Sequence, residues 1–181
     1  ALKLIAGLDH ADIGVAGSHA LDVGASTGGF SQVLLERGAA HVIALDVGTD
    51  QLAGELRADP RVTVMEGVNA RDLKAGDIPY APDLIATDVS FISLRLVLPP
   101  VLKLAADGAR GVFLFKPQFE VGRDAIGKGG IVRSDADVEG ALAAVLAEIG
   151  DVGWRIDAVC DAPIAGGDGN RSNFESYVAA A

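Results

Sequence analysis

At 181 residues, half of them hydrophobic and 22% charged, the chain is long enough for one domain with a sizeable core. Its single cysteine, Cys160, excludes an internal disulfide and a cysteine-rich zinc site, and His10, His19 and His41 show no metal-ligand spacing, so no metal site is expected. A formal charge of −10 speaks against a domain that grips phosphates by itself; such affinity would need a local basic cluster or another domain.

Aromatic residues are scarce, and Ala, Val, Leu and Gly fill the apolar positions, a mixture that suits helices packed on a buried parallel sheet. No signal peptide and no apolar run approaching a membrane span is visible, so a cytoplasmic enzyme is the expectation. The chain opens at Ala1 without a methionine and with a helical pattern already under way, so further residues are expected ahead of it.

In chain order, Leu2, Leu4, Ile5 and Leu8 fit the apolar side of a short first helix that carries Lys3. His19 to Val23 reads as a buried strand running into the glycine-rich turn Gly24 to Gly29. Phe30 to Arg37 is a predicted helix ended by Gly38. His41 to Leu45 is a second strand ending at Asp46, and Asp50 is placed to cap a helix through Arg57. Arg61 to Met65 and Asp83 to Thr87 follow as strands, the latter ending at Asp88. A helix around Leu94 to Leu104 is either broken by Pro99-Pro100 or begins there. Gly111 to Phe115 is a fifth strand ending at Lys116-Pro117, and the polar, glycine-rich stretch from Gln118 to Arg133 reads as loop. Ser134 caps a helix to Ile149, and Trp154 to Cys160 and Phe174 to Ala180 are the last strands. Strands alternating with helices imply parallel pairing through right-handed crossovers, whereas the final two strands, with no helix between them, imply an antiparallel pair.

The most informative stretch is Asp22-Val23-Gly24-Ala25-Ser26-Thr27-Gly28-Gly29-Phe30. It follows a strand and opens a helix, where open α/β sheets bind their ligands. Gly24 and Gly28 allow a sharp turn and close backbone approach, and Asp46 at the next strand end is placed to accept hydrogen bonds from both hydroxyls of a ribose. The dinucleotide fingerprint needs glycine where Ser26 stands, so acid-x-Gly-x-x-x-Gly favours a sulfonium nucleoside, which carries no pyrophosphate, over NAD. The same residues match a hydrolase nucleophile elbow, but the one histidine after Ser26 is His41, which precedes every plausible acid. Gly122 to Gly129 imitates a phosphate-binding loop, yet Gly129 stands where a Ser or Thr must hold magnesium. Arg123, Lys128 and Arg133 there form either a basic lip over a substrate or a solvated loop.

Asp88 and Lys116 end the fourth and fifth strands beside the predicted crevice. Methylating a ribose hydroxyl requires in-line attack on a sulfonium methyl with loss of the hydroxyl proton, and a lysine in its neutral form can take that proton. With these residues in view, the chain resembles the TlyA family of haemolysin-named ribosomal RNA 2′-O-methyltransferases, within the broader FtsJ-like group. The resemblance rests on Ala1 to Leu4, Leu21 to Phe30, Leu45 to Gly48, Asp88 to Leu94 and Phe115 to Glu120.

The resemblance implies a Rossmann-like class I methyltransferase: one α/β domain over residues 1–181, its mostly parallel seven-stranded sheet ending in an antiparallel strand and covered by helices on both faces. It implies S-adenosyl-L-methionine as cofactor, ribosomal RNA or ribosomal subunits as partner, methylation of a cytidine 2′-hydroxyl, and a small S4-like RNA-binding domain ahead of this one. It also implies a lysine–aspartate–lysine–glutamate tetrad whose first three members are Lys3, Asp88 and Lys116. The fourth is Glu175 if a short insertion follows Gly169-Asn170, and Ser172 otherwise; Glu175 is favoured. Val47, Gly48, Asn69 and Asp88 join the turn residues as cofactor-binding positions. The alternatives are a membrane-active haemolysin, which lacks a long apolar helix or a basic amphipathic stretch here, a small-molecule O-methyltransferase, and a cofactor-binding module without catalysis. Oligomeric state is left open.

Overall fold

The structure is a computed structural model that describes residues 1–132, 134–162 and 176–181, with the backbone alone for 176–180. The chain runs α1 (Leu2–His10), β1 (His19–Val23), α2 (Gly29–Glu36), β2 (His41–Asp46), α3 (Gly54–Ala58), β3 (Val62–Glu66), β4 (Leu84–Thr87), α4 (Leu94–Leu102), β5 (Arg110–Phe115), α5 (Pro117–Glu120), α6 (Asp135–Asp151), β6 (Ile156–Asp161) and β7 (Ser176–Ala180). The strands form one sheet in the order β3-β2-β1-β4-β5-β7-β6. The first five pair in parallel, and β7 lies antiparallel between β5 and β6, pairing Phe115 with Ser176 on one side and Asp161 with Ser176 on the other.

Strands buried on both faces need apolar residues of both parities, and the two cores divide accordingly. Leu21, Val23, Ile43, Leu45, Ile85, Phe113 and Phe115 pack against α4 and α6. The intervening residues, Ala20, Val42, Leu84, Ala86, Val112 and Leu114, meet Leu4 and Leu8 of α1 and Phe30, Val33 and Leu34 of α2. The chain builds outward from β1 to β3 and then returns to β4 beside β1. The carboxyl ends of β1 and β4 therefore flank a topological switch point, where such sheets bind ligands.

Four local expectations are corrected. Leu2 is 62% exposed and not part of the apolar side of α1, which buries Leu4, Gly7 and Leu8. Asp50 does not cap α3, whose N-cap is Ala53; the Asp50 amide is engaged by Glu66 instead. Pro99 and Pro100 lie inside α4 and neither break nor start it. The carbonyls they leave without a helical donor belong to Arg95 and Leu96, both on the exposed side of the helix, where water can serve them. The stretch after Lys116 is not all loop: it holds α5, two single 3-10 turns at Arg123–Ala125 and Lys128–Gly130, and a bridge between Ile126 and Val132.

Candidate active site

The glycine turn forms the floor of the site. The Gly24 and Ala25 amides donate to the Leu45 carbonyl at 2.8 and 3.0 Å, which folds the end of β1 over the end of β2. Gly24 has φ +85°, and a Cβ there would overlap the Asp88 carbonyl oxygen, so only glycine lets the two strand ends approach this closely. Ser26 is also left-handed, at φ +49°, a costly conformation for a residue with a side chain. Its amide donates to Asp46 Oδ2 at 2.8 Å, and the Gly48 amide donates to Asp46 Oδ1 at 2.7 Å. Asp46 thus ties the β1–α2 turn to the β2–α3 loop and retains one lone pair on each oxygen for a ligand hydroxyl.

Above this floor lies a cavity of about 520 Å³, within the size range of small-molecule sites. Of the sequence-predicted binding residues, Gly24, Ser26, Asp46, Val47, Gly48, Asn69 and Asp88 line it. Asn69 Oδ1 accepts from the Arg71 amide, so its side-chain NH₂ is the group left to face a ligand. Asp22, Ala25, Thr27, Gly28, Gly29 and Phe30 do not line the cavity. Phe30 faces the α1–α2 core and Thr27 points to solvent. Gln51, Val89 and Ile92 are lining residues that the sequence did not single out.

Asp22 is fully buried beneath α2 and accepts a hydrogen bond from Ser31 Oγ at 2.6 Å, while its Oδ1 has no partner. Burial pushes its carboxyl up to about 7; the Ser31 hydrogen bond opposes the shift, and the charges of Asp88 and Asp46 add to it. The unfolded chain loses this proton near pH 4 whereas the folded chain keeps it to about pH 7, so stability falls as pH rises through that window. Asp22→Asn should therefore be more stable than wild type, by a margin larger at about pH 8 than at about pH 5. Urea midpoints at the two pH values measure it, and equal margins would refute a raised Asp22.

Asp88 and Lys116 meet at the opposite rim. Lys116 Nζ lies 2.6 Å from Asp88 Oδ1 and 3.0 Å from Ser90 Oγ, with 13% of its side chain exposed. Three further features hold the segments that carry them, the first to the end of β1 and the other two to each other. The Asp88 amide donates to the Val23 carbonyl at 2.9 Å, the Phe91 and Phe119 rings lie 5.1 Å apart, and Glu120 accepts from the Leu94 amide at 2.7 Å and from Ser93 Oγ. Burial raises the Glu120 carboxyl above its ordinary range, with those two donors opposing. Phe91 is left-handed at φ +64° and 91% exposed, an aromatic face presented to solvent at the cavity rim. A left-handed phenylalanine has no local sequence signal, so its exposure was not foreseeable.

Lys3 sits in the first turn of α1, whose start lies against Gly29 at the same end of the sheet. Glu175, Ser172 and Arg133 fall outside the described residues, and Arg123 and Lys128 are exposed on the two 3-10 turns. Among the described residues no group of acids, histidines and cysteines could hold a metal, and no helix is long and apolar enough to cross a membrane.

The architecture is the Rossmann-like methyltransferase fold. It is shared with an S-adenosylmethionine-dependent methyltransferase of Mesorhizobium loti at a TM-score of 0.72 and 19% identity, covering 99% of this chain and 97% of that one. The chain belongs to the FtsJ-like methyltransferase family, whose model matches residues 1–178. It is 47% identical over 172 residues to the 16S/23S rRNA (cytidine-2′-O)-methyltransferase TlyA of Mycobacterium tuberculosis, a match spanning 95% of this chain and 64% of that protein. A hemolysin-named protein of Streptococcus thermophilus superimposes with a TM-score of 0.92 at 42% identity, over 99% of this chain and 64% of that one. The chain thus spans just under two thirds of the length of these relatives.

Proposed function

We propose that this chain is the catalytic unit of an S-adenosylmethionine-dependent ribosomal RNA methyltransferase that modifies a cytidine 2′-hydroxyl in the cytoplasm, with Lys116 removing the hydroxyl proton. The observation that carries the proposal is the Lys116–Asp88 pair, 2.6 Å apart, at the rim of a cavity floored by the Gly24 turn. The fit to a nucleoside cofactor rests on the chain's own groups. Asp46 offers a lone pair on each oxygen, Asn69 offers an amide donor, and Val47, Val68 and Ile92 provide apolar walls for a base. When bound, S-adenosylmethionine supplies an electrophilic methyl group on a sulfonium sulfur.

Asp88 and Ser90 fix the direction of the Lys116 nitrogen, which, once it has released its own proton and become the neutral amine, would accept the hydroxyl proton as the ribose oxygen takes up the methyl group. Lys3 and Glu175 complete the tetrad by family resemblance. Phe91 offers its ring to an unstacked base beside the reacting ribose, because aromatic faces hold single-stranded bases by stacking. Since one stacked base contributes about 1–3 kcal/mol, Phe91→Ala is expected to raise the KM for RNA about fivefold or more, with a smaller change in cofactor affinity because the ring lies at the rim of the cavity. Steady-state kinetics on RNA beside cofactor calorimetry separates the two, and an unchanged KM would remove the ring from the substrate site. The function itself is tested by incubating the protein with ribosomal subunits and methyl-labelled cofactor, then digesting the RNA. Label on the 2′-oxygen of a cytidine is expected; label on a base, or none, would overturn the proposal.

A further inference from the structure

Glu66 ends β3 and does not line the cavity, yet its carboxylate collects four donors. Oε1 accepts the Gln51 and Leu52 amides at 3.0 Å each, and Oε2 accepts the Asp50 amide at 3.0 Å and the Arg57 guanidinium at 2.7 Å. Two donors on each oxygen use the full capacity of a carboxylate. Three successive amides converge on one anion because Asp50 is left-handed, at φ +56°, which makes a backbone concavity of the kind that binds anions. Beside this clamp the Gly67 amide donates to the Gly48 carbonyl at 3.0 Å, and the Val68 amide to the Asp46 carbonyl at 3.1 Å. The loop over residues 47–52 is thus fastened to the end of β3 along its length. That loop carries Val47, Gly48 and Gln51, three walls of the cavity, and its Gly48 amide steadies Asp46.

We propose that Glu66 is a positioning residue for cofactor affinity, holding the 47–52 loop in the shape that Asp46, Gly48 and Gln51 need to enclose a nucleoside. The proposal rests on the reading of the cavity as the cofactor's nucleoside site. The Arg57 guanidinium, followed by the loop amides, holds the Glu66 carboxyl down at about 2, so the clamp stays ionised throughout the range in which an enzyme works. The contacts bear on the nucleoside end and leave Lys116 and Asp88 untouched, which predicts an effect on binding without one on chemistry.

Glu66→Gln is nearly isosteric, but it turns an NH₂ group toward donors that need an acceptor. It is expected to weaken S-adenosylmethionine binding about tenfold or more by calorimetry, and methylthioadenosine binding by the same factor, because that thioether keeps the nucleoside and lacks the amino-acid end. The kcat at saturating cofactor should stay within about twofold of wild type. Glu66→Asp, too short to reach all three amides, should show the same pattern and serves if the glutamine variant does not fold. Wild-type affinity in a folded variant overturns the proposal, as does a loss confined to the whole cofactor or a kcat that falls in step. Wild-type protein that binds neither ligand overturns the nucleoside reading itself, a failure visible before any variant is made.

Discussion

Lys116→Ala is expected to lower methyl transfer by about 10²–10⁴-fold, the usual contribution of a positioned general base, while S-adenosylmethionine affinity stays within about twofold. Lys116 touches Asp88 and Ser90 and does not line the cavity, so its removal takes nothing from the cavity walls. Asp88 stays anchored through its own amide at the Val23 carbonyl, so the rim should survive the loss of its ion-pair partner. Single-turnover rates with cofactor in excess, alongside calorimetry, separate the two quantities. Loss of both together would make Lys116 a structural residue and remove the base assignment.

Asp46→Ala should act in the opposite way and reduce cofactor affinity by at least about a hundredfold. The substitution removes the acceptor for the Ser26 and Gly48 amides and any acceptor for ribose hydroxyls, and a hydrogen bond to a charged group contributes about 1.5–3 kcal/mol. Ser26 holds its left-handed backbone partly because its amide has this partner, so the turn should relax toward commoner conformations when the carboxylate goes. Calorimetric titration reads the affinity, and the same Kd in wild type and variant would mean that the cavity is not the cofactor site.

The parts of the fold legible in the sequence were those with a local cause. Apolar runs bounded by turn residues located the strands, β1 and β2 among them, and Ser134 caps α6 as its sequence position implies, accepting from the Asp137 amide. Gly24, Asp46, Asp88 and Lys116 were legible as candidates because strand ends at a switch point are where such sheets concentrate chemistry. What stayed hidden depends on partners distant in sequence. The placement of β7 between β5 and β6 leaves no periodic trace in either strand. Asp50 carries the local signature of a cap, but Glu66, sixteen positions on, takes its amide instead. Asp22 looked like a ligand-binding acid, yet alternation along β1 turns it away from the side that carries Leu21 and Val23 and buries it under Ser31. Phe30 followed the motif into the predicted site, whereas its place in α2 directs it into the core.

One structure bears most directly on the central claim: this chain crystallised with S-adenosylhomocysteine. The ribose should lie against Asp46 and the base near Asn69, with the sulfur at the Asp88 end of the cavity and the Lys116 amine on the side toward which a methyl group would project. A ligand bound outside the cavity, or an amine turned away from the sulfur, would contradict the account.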